Sequence, residues 1–178
     1  MGRIFLTILL TGITGIISAQ KAAPDFLVDG EWFNSNPITI DDLKGQVVLV
    51  EMWTFACYNC YRSKPTLIEF YEQYQSKGLE IIGVHTPEFN YEKVAENVRR
   101  AIAEHNVTWP VFQDNEFRTW RAFGNRAWPT FYLIDRQGNI RYSHRGELSD
   151  KFPRGIQPLK EAIEELLNEA PQLNNLTC

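Results

Sequence analysis

A chain of 178 residues can bury a core of its own, and a composition 44% hydrophobic and 22% charged excludes disorder as its default state. The formal charge of −4 comes with no basic block or stripe, which excludes the usual signature of a nucleic-acid binder. Three cysteines are too few for a disulfide-rich scaffold, so they are available for chemistry or for a single staple.

The opening stretch, MGRIFLTILLTGITGIISAQ, carries a positive charge at Arg3, an apolar run from Ile4 to Ile17, and small residues at Ser18 and Ala19. This is the layout of a secretory signal peptide over 1–19, cleaved after Ala19. A membrane anchor is the competing reading, but the run is shorter than the roughly 20 residues that span a bilayer and is broken by Gly12 and Gly15. No cysteine stands at the cleavage point, so a lipid anchor is not indicated. The expectation is an exported, periplasmic protein with no stable membrane insertion after cleavage. Its domain would run over 20–170, and a loose tail over 171–178 would end in Cys178, a free thiol.

KAAPDFLVDGEWFNSNPITIDDLKGQ breaks into short apolar pieces between Asp-Gly and Asn-Pro turn signals, which predicts a small hairpin or an extended arm. VVLVEMW, from Val47, is a compact run suited to a strand buried on both faces. A helix follows over about 58–76, with Leu67, Ile68, Phe70, Tyr71 and Tyr74 on its apolar side and a kink at Pro65. LEIIGVHT is the next buried strand. YEKVAENVRRAIAEHN places Val94, Val98, Ala101 and Ile102 at helical spacing. WPVFQD reads as a short strand, NEFRTWRAFG as a short helix closed by Gly124, and PTFYLIDRQGNIRYSHRG as a hairpin. GIQPLKEAIEELLNEA is the last amphipathic helix. Strands alternating with helices, then a terminal hairpin, predict an α/β domain whose sheet is mostly parallel and flanked by helices.

Cys57 and Cys60 stand where a buried strand gives way to a helix. A cysteine at a helix N-terminus faces unpaired N–H groups and the positive end of the dipole, which favour its thiolate. Cys60, one turn on, can attack a mixed disulfide made at Cys57. A pair of this spacing in a βαβ setting is a strong redox signal.

On these residues the chain resembles the thioredoxin superfamily, and within it the exported TlpA/ResA-type thiol–disulfide oxidoreductases. DDLKGQVVLVEMWTFACYNC follows that group's lead-in of a Lys-Gly turn, a hydrophobic strand, a Trp and the cysteine pair. The long stretches GVHTPEFNYEKVAENVRRAIAEHNVTWPVFQDN and TWRAFGNRAWPTFYLIDRQGNIRY are similar to the soluble domain of DipZ-like proteins. The likeness runs over about 25–168. It implies a thioredoxin-like fold with a central mixed sheet, and dithiol–disulfide exchange in which Cys57 attacks and Cys60 resolves. Glu51 matches the buried acid of thioredoxins, which exchanges a proton with the resolving thiol; burial would raise its pKa. Pro65 matches the kinking proline of the active-site helix. Pro129 matches the proline that is cis in this fold and faces the cysteines. The loop before it, with Trp128, shapes the substrate groove. Trp53 reads as core by its strand and is carried, with Tyr58 and Asn59, as a further substrate contact. Trp109 and Trp120 read as core. No cofactor or metal is implied; the partners are protein thiols or disulfides and a protein electron donor, and the commoner role in this group is reductant.

The chain departs from better-known members in two places. Tyr58-Asn59 separates the cysteines, which leaves the direction of electron flow open, and bulky Trp128 precedes the proline, which leaves partner choice open. Three other readings compete with this one. A structural disulfide would explain the cysteines alone. A zinc or copper module would need further ligands; His85 ends a strand near the site, whereas His105 and His144 read as a helix-end and a strand-surface residue. A thiol peroxidase is suggested by Thr54, three before Cys57, but Val50 stands where its upstream proline is expected.

Overall fold

The structure, a computed structural model, describes residues 21–170. The segment over 1–19 expected to be a signal peptide and the tail with Cys178 lie outside the described residues. Seven strands form one sheet: β1 Lys21–Ala22, β2 Trp32–Phe33, β3 Val47–Trp53, β4 Leu79–His85, β5 Val111–Gln113, β6 Thr130–Ile134 and β7 Asn139–Arg145, in the order β1-β7-β6-β3-β4-β5-β2. The helices are α1 Tyr58–Tyr74, α2 Ala95–Glu104, α3 Arg118–Ala122 and α4 Ile156–Asn168. Among the described residues no helix is long and apolar enough to cross a membrane.

β3 is the central strand, parallel to β4 and antiparallel to β6. All seven of its residues are buried, as a β-branched run without alternation requires. Successive side chains still point to opposite faces. Val47, Leu49 and Trp53 enter a core layer shared with α1, α2 and α4, whereas Val48, Val50 and Met52 enter a second layer with Trp120 of α3 and with Phe26, Ile40 and Leu43 of the N-terminal arm.

The sheet is mixed, as the family resemblance implies, and not mostly parallel as the alternation of strands and helices alone predicts, because only β3·β4 and β4·β5 run parallel. Of the hairpin or extended arm expected at the N-terminus, the chain forms the arm: β1 pairs with β7 at one edge and β2 with β5 at the other, so the segment crosses the sheet and covers both edges. The helix expected from Tyr91 onward is interrupted at Val94, which is extended and exposed between a 3-10 turn over Asn90–Lys93 and α2. The 3-10 turn is needed to carry Glu92 inward, as described below.

Candidate active site

The loop between β3 and α1 ends at Cys57, which is the N-cap of α1. Its sulfur accepts a hydrogen bond from the Cys60 N–H at 3.2 Å, and its carbonyl accepts from Tyr61 N–H at 3.1 Å. A sulfur thus occupies the place of a capping oxygen, where an unpaired N–H and the helix dipole both favour negative charge. The first turn of α1 holds no acidic residue to oppose that charge. Cys57 and Cys60 form a disulfide with their Cα atoms 5.2 Å apart. Their surroundings differ: Cys57 is partly exposed, whereas Cys60 is 0% exposed and belongs to the core. Tyr58 and Asn59 between them face solvent.

Beneath the cysteines, on the α1 side of β3, Glu51 is fully buried. The carboxylate is ion-paired. Lys64 donates to both of its oxygens, at 2.8 and 2.7 Å. Lys64 follows Cys60 by one helical turn and is buried as well, its ammonium 3.8 Å from the centre of the Trp53 ring and 5.6 Å from that of Trp109. Loss of hydration pushes the Glu51 carboxyl up and the Lys64 ammonium down, against their mutual attraction. The next residue, Pro65, lies inside α1.

The cysteine loop is held from the opposite side by Glu92. This fully buried carboxylate accepts from Ala56 N–H at 2.9 Å, from Glu88 N–H and Phe89 N–H at 2.8 Å each, and from the Thr54 hydroxyl. Thr54 is buried, and its hydroxyl is thereby committed to Glu92 rather than free to meet a peroxide at Cys57. His85 lies between the two anchors, edge-on to Trp53 and stacked on Phe55. Its Nε2 is 3.4 Å from Thr54 Oγ1, and its Nδ1 has no partner. Burial, and then the charge of Lys64, pull its pKa down to about 3. Among the described residues no group of three or more His, Cys, Asp or Glu side chains is placed to hold a metal. Phe55 continues outward to Tyr91, which stacks on exposed Phe89.

The Trp128–Pro129 peptide is cis and leads into β6 beside β3. Trp128 packs against Trp120 with ring centres 4.4 Å apart, and it borders the same core cluster as Cys57 and Phe55. Cys57, Cys60 and Glu51 therefore share one end and one layer of the sheet, and Trp128 stands at the same end, bordering both layers. Trp53 does not belong among the substrate contacts. Its side chain is 1% exposed, covered by Lys64 and His85, and serves as the wall of the Glu51–Lys64 chamber. Sequence reasoning missed Lys64 and Glu92. The usable signal for Lys64 was its position four residues after Cys60, on the helix face already assigned to the interior.

A mixed sheet, a disulfide capping its first long helix and a cis-proline loop at the same end define a thioredoxin-like protein. The model of the AhpC/TSA family matches residues 19–143, and the chain belongs to that family. Protein DipZ of Mycobacterium tuberculosis is 38% identical over 177 residues, covering 88% of this chain but 24% of DipZ, so the chain spans about a quarter of that relative. The thiol-disulfide oxidoreductase ResA of Bacillus cereus is 26% identical, with 94% of each protein covered. Among solved structures, a Chlorobium tepidum protein assigned as the thiol:disulfide interchange protein DsbE superposes with a TM-score of 0.71 at 25% identity, covering 83% of this chain and 96% of that one.

Proposed function

We propose that the protein is a thiol–disulfide oxidoreductase that exchanges electrons with cysteines of other proteins. The observation that carries this reading is the asymmetry of the pair. Cys57 is reachable and capped by an N–H, while Cys60 is sealed in the core within bonding distance of it. A structural staple needs no such difference, whereas exchange needs one accessible low-pKa nucleophile and one shielded resolving thiol.

In the reduced protein the Cys57 thiolate attacks one sulfur of a client disulfide, and the other client sulfur leaves as thiolate. Cys60 then passes its proton to the Glu51 carboxylate and attacks Cys57, releasing the second client thiolate and closing the disulfide. Two electrons pass to the client, and a protein donor restores the dithiol. No cofactor takes part. In this reading Pro129 and Trp128 shape the groove for the client, and exposed Tyr58 and Asn59 beside Cys57 are further contacts. The N-terminal segment supports work in an exported compartment, the periplasm, and the resemblance to the TlpA/ResA-type group, whose commoner role is reductant, supports that direction.

The test replaces Cys60 with Ser. The variant should accumulate mixed disulfides through Cys57 when given an oxidised client peptide, and capture that depended on Cys60 instead would reverse the roles. Equilibration of the wild-type pair with glutathione tests direction: a potential near about −270 mV fits a reductant and one near about −120 mV an oxidant.

A further inference from the structure

Burying an ammonium is costly, and a buried ion pair is seldom better for stability than apolar side chains of the same volume. Lys64 nevertheless sits in a chamber built around it, with Glu51 on one side and the Trp53 and Trp109 rings on the other. The chamber needs Gly83 on β4, directly opposite Glu51 in the sheet. A Cβ there would lie 2.9 Å from Val111 Cγ2 and 3.0 Å from Trp53 Nε1. Lys64 is also one of the residues lining a cleft of about 430 Å³ beside α1, whose walls include Tyr61, Arg62, Pro65, His105 and Asp150. Neither Cys57 nor Trp128 lines this cleft.

We propose that Lys64 is the second half of a proton relay, passing protons between the Glu51 carboxyl and water in this cleft while a client covers Cys57. The inference rests on the dithiol-exchange reading above. At rest the pair is carboxylate and ammonium. The ammonium releases a proton to cleft water, the carboxylate takes the Cys60 proton as that sulfur attacks Cys57, and the new carboxylic acid returns its proton to the lysine amine. The pair ends as it began, and the net transfer is one proton from Cys60 to solvent. The raised carboxyl and lowered ammonium bring the two groups toward a common range, as such a transfer needs. The other titratable or charged groups around Lys64 are Cys60, Tyr61 and Arg62 on α1, His85 on β4, Glu104 and His105 at the end of α2, and Asp150 after β7. Both histidines are held toward the neutral form, chiefly by burial.

The experiment follows the resolving step by stopped flow across pH, using a fluorescence-quenched, disulfide-linked peptide as client. In Lys64→Met, Glu51 loses its counter-charge. The acid limb should move up by about one pH unit, and the rate near neutrality should fall about tenfold. Lys64→Arg keeps a charge that cannot release a proton, so it should keep the position of the limb and lose plateau rate. In a Glu51→Gln background, Lys64→Met should change nothing further. Near-UV circular dichroism of each variant identifies any that fails to fold, and Lys64→Arg carries the test if Lys64→Met does. An unshifted limb in Lys64→Met, a full plateau in Lys64→Arg, or an equal loss in the Glu51→Gln background each overturns the relay. A wild-type protein that exchanges no disulfide with the peptide overturns the function itself.

Discussion

The Glu92 carboxylate accepts the Ala56 N–H at 2.9 Å across 36 residues of sequence, and so fixes the backbone next to Cys57 from outside the strand–helix unit that carries it. The same carboxylate gathers Glu88 N–H, Phe89 N–H and the Thr54 hydroxyl. Glu92→Ala would strand these donors in a dry site. Hydrogen bonds to charged groups are worth about 1.5–3 kcal/mol, so we expect a loss of about 3 kcal/mol in urea unfolding. We also expect faster, less selective alkylation of Cys57 in the reduced protein. Unchanged stability would show that water replaces the carboxylate.

The strand at Val47, the cysteine-bearing helix and the terminal hairpin were legible because each leaves a local trace: an apolar run, a spacing, a turn dipeptide. The loop at Pro129 leaves none and was legible only through the family resemblance. Glu51 was legible for a different reason, a carboxylate flanked by VVLV and MW. Its partner was not. Its spacing from Cys60 and Leu67 places Lys64 on the inner face of α1, but a charged side chain on a helix reads as solvated, and the packing of α1 on β3 is what holds it inward against Glu51. Glu92 was hidden in the same way, since the helical spacing around Val94 favours a continuous helix and the 3-10 turn exists to satisfy four donors elsewhere. The edge pairing of the N-terminal arm was out of reach because β1 and β2 are two residues each and draw their stability from strands about 80 to 120 residues away.

The Glu51–Lys64 pair should be worth less to the fold than to the chemistry. Glu51 has a raised pKa, so its contribution to stability is full below its unfolded value and is lost as pH rises through the folded one. Lys64 has a lowered pKa, so its contribution is full above its unfolded value and is lost as pH falls through the folded one. Between the two, desolvation weighs against the charged pair. Lys64→Met alone should cost about 3–5 kcal/mol by leaving Glu51 uncompensated, whereas Glu51→Leu with Lys64→Met should be neutral or stabilising. Urea unfolding of the two singles and the double at pH 7 decides this, and additive losses would refute it.

Trp128→Ala should separate packing from recognition. The side chain packs against Trp120 with ring centres 4.4 Å apart and meets Phe117 at 6.5 Å, so truncation should cost about 3 kcal/mol in stability. If Trp128 also borders the groove, exchange with a protein disulfide should slow more than exchange with a small dithiol such as dithiothreitol. Equal slowing of both would assign Trp128 to the core alone.

His85 should govern the acid side of the stability profile. Its pKa is depressed to about 3 by burial and by Lys64, so the folded state resists a proton that the unfolded chain takes up near 6.5. The sign follows from linkage. The contribution is complete above about pH 6.5 and is lost as pH falls toward 3, because the unfolded state binds more protons throughout that window. One such proton gives a slope of about 1.4 kcal/mol per pH unit. Replacement by Gln removes the titration while keeping an amide within reach of Thr54. Unfolding free energies of wild type and His85→Gln, measured from pH 7 to pH 4, should therefore diverge in slope by one proton. Parallel curves would mean that His85 gains its proton without leaving the fold, through movement of the Phe55 loop that covers it.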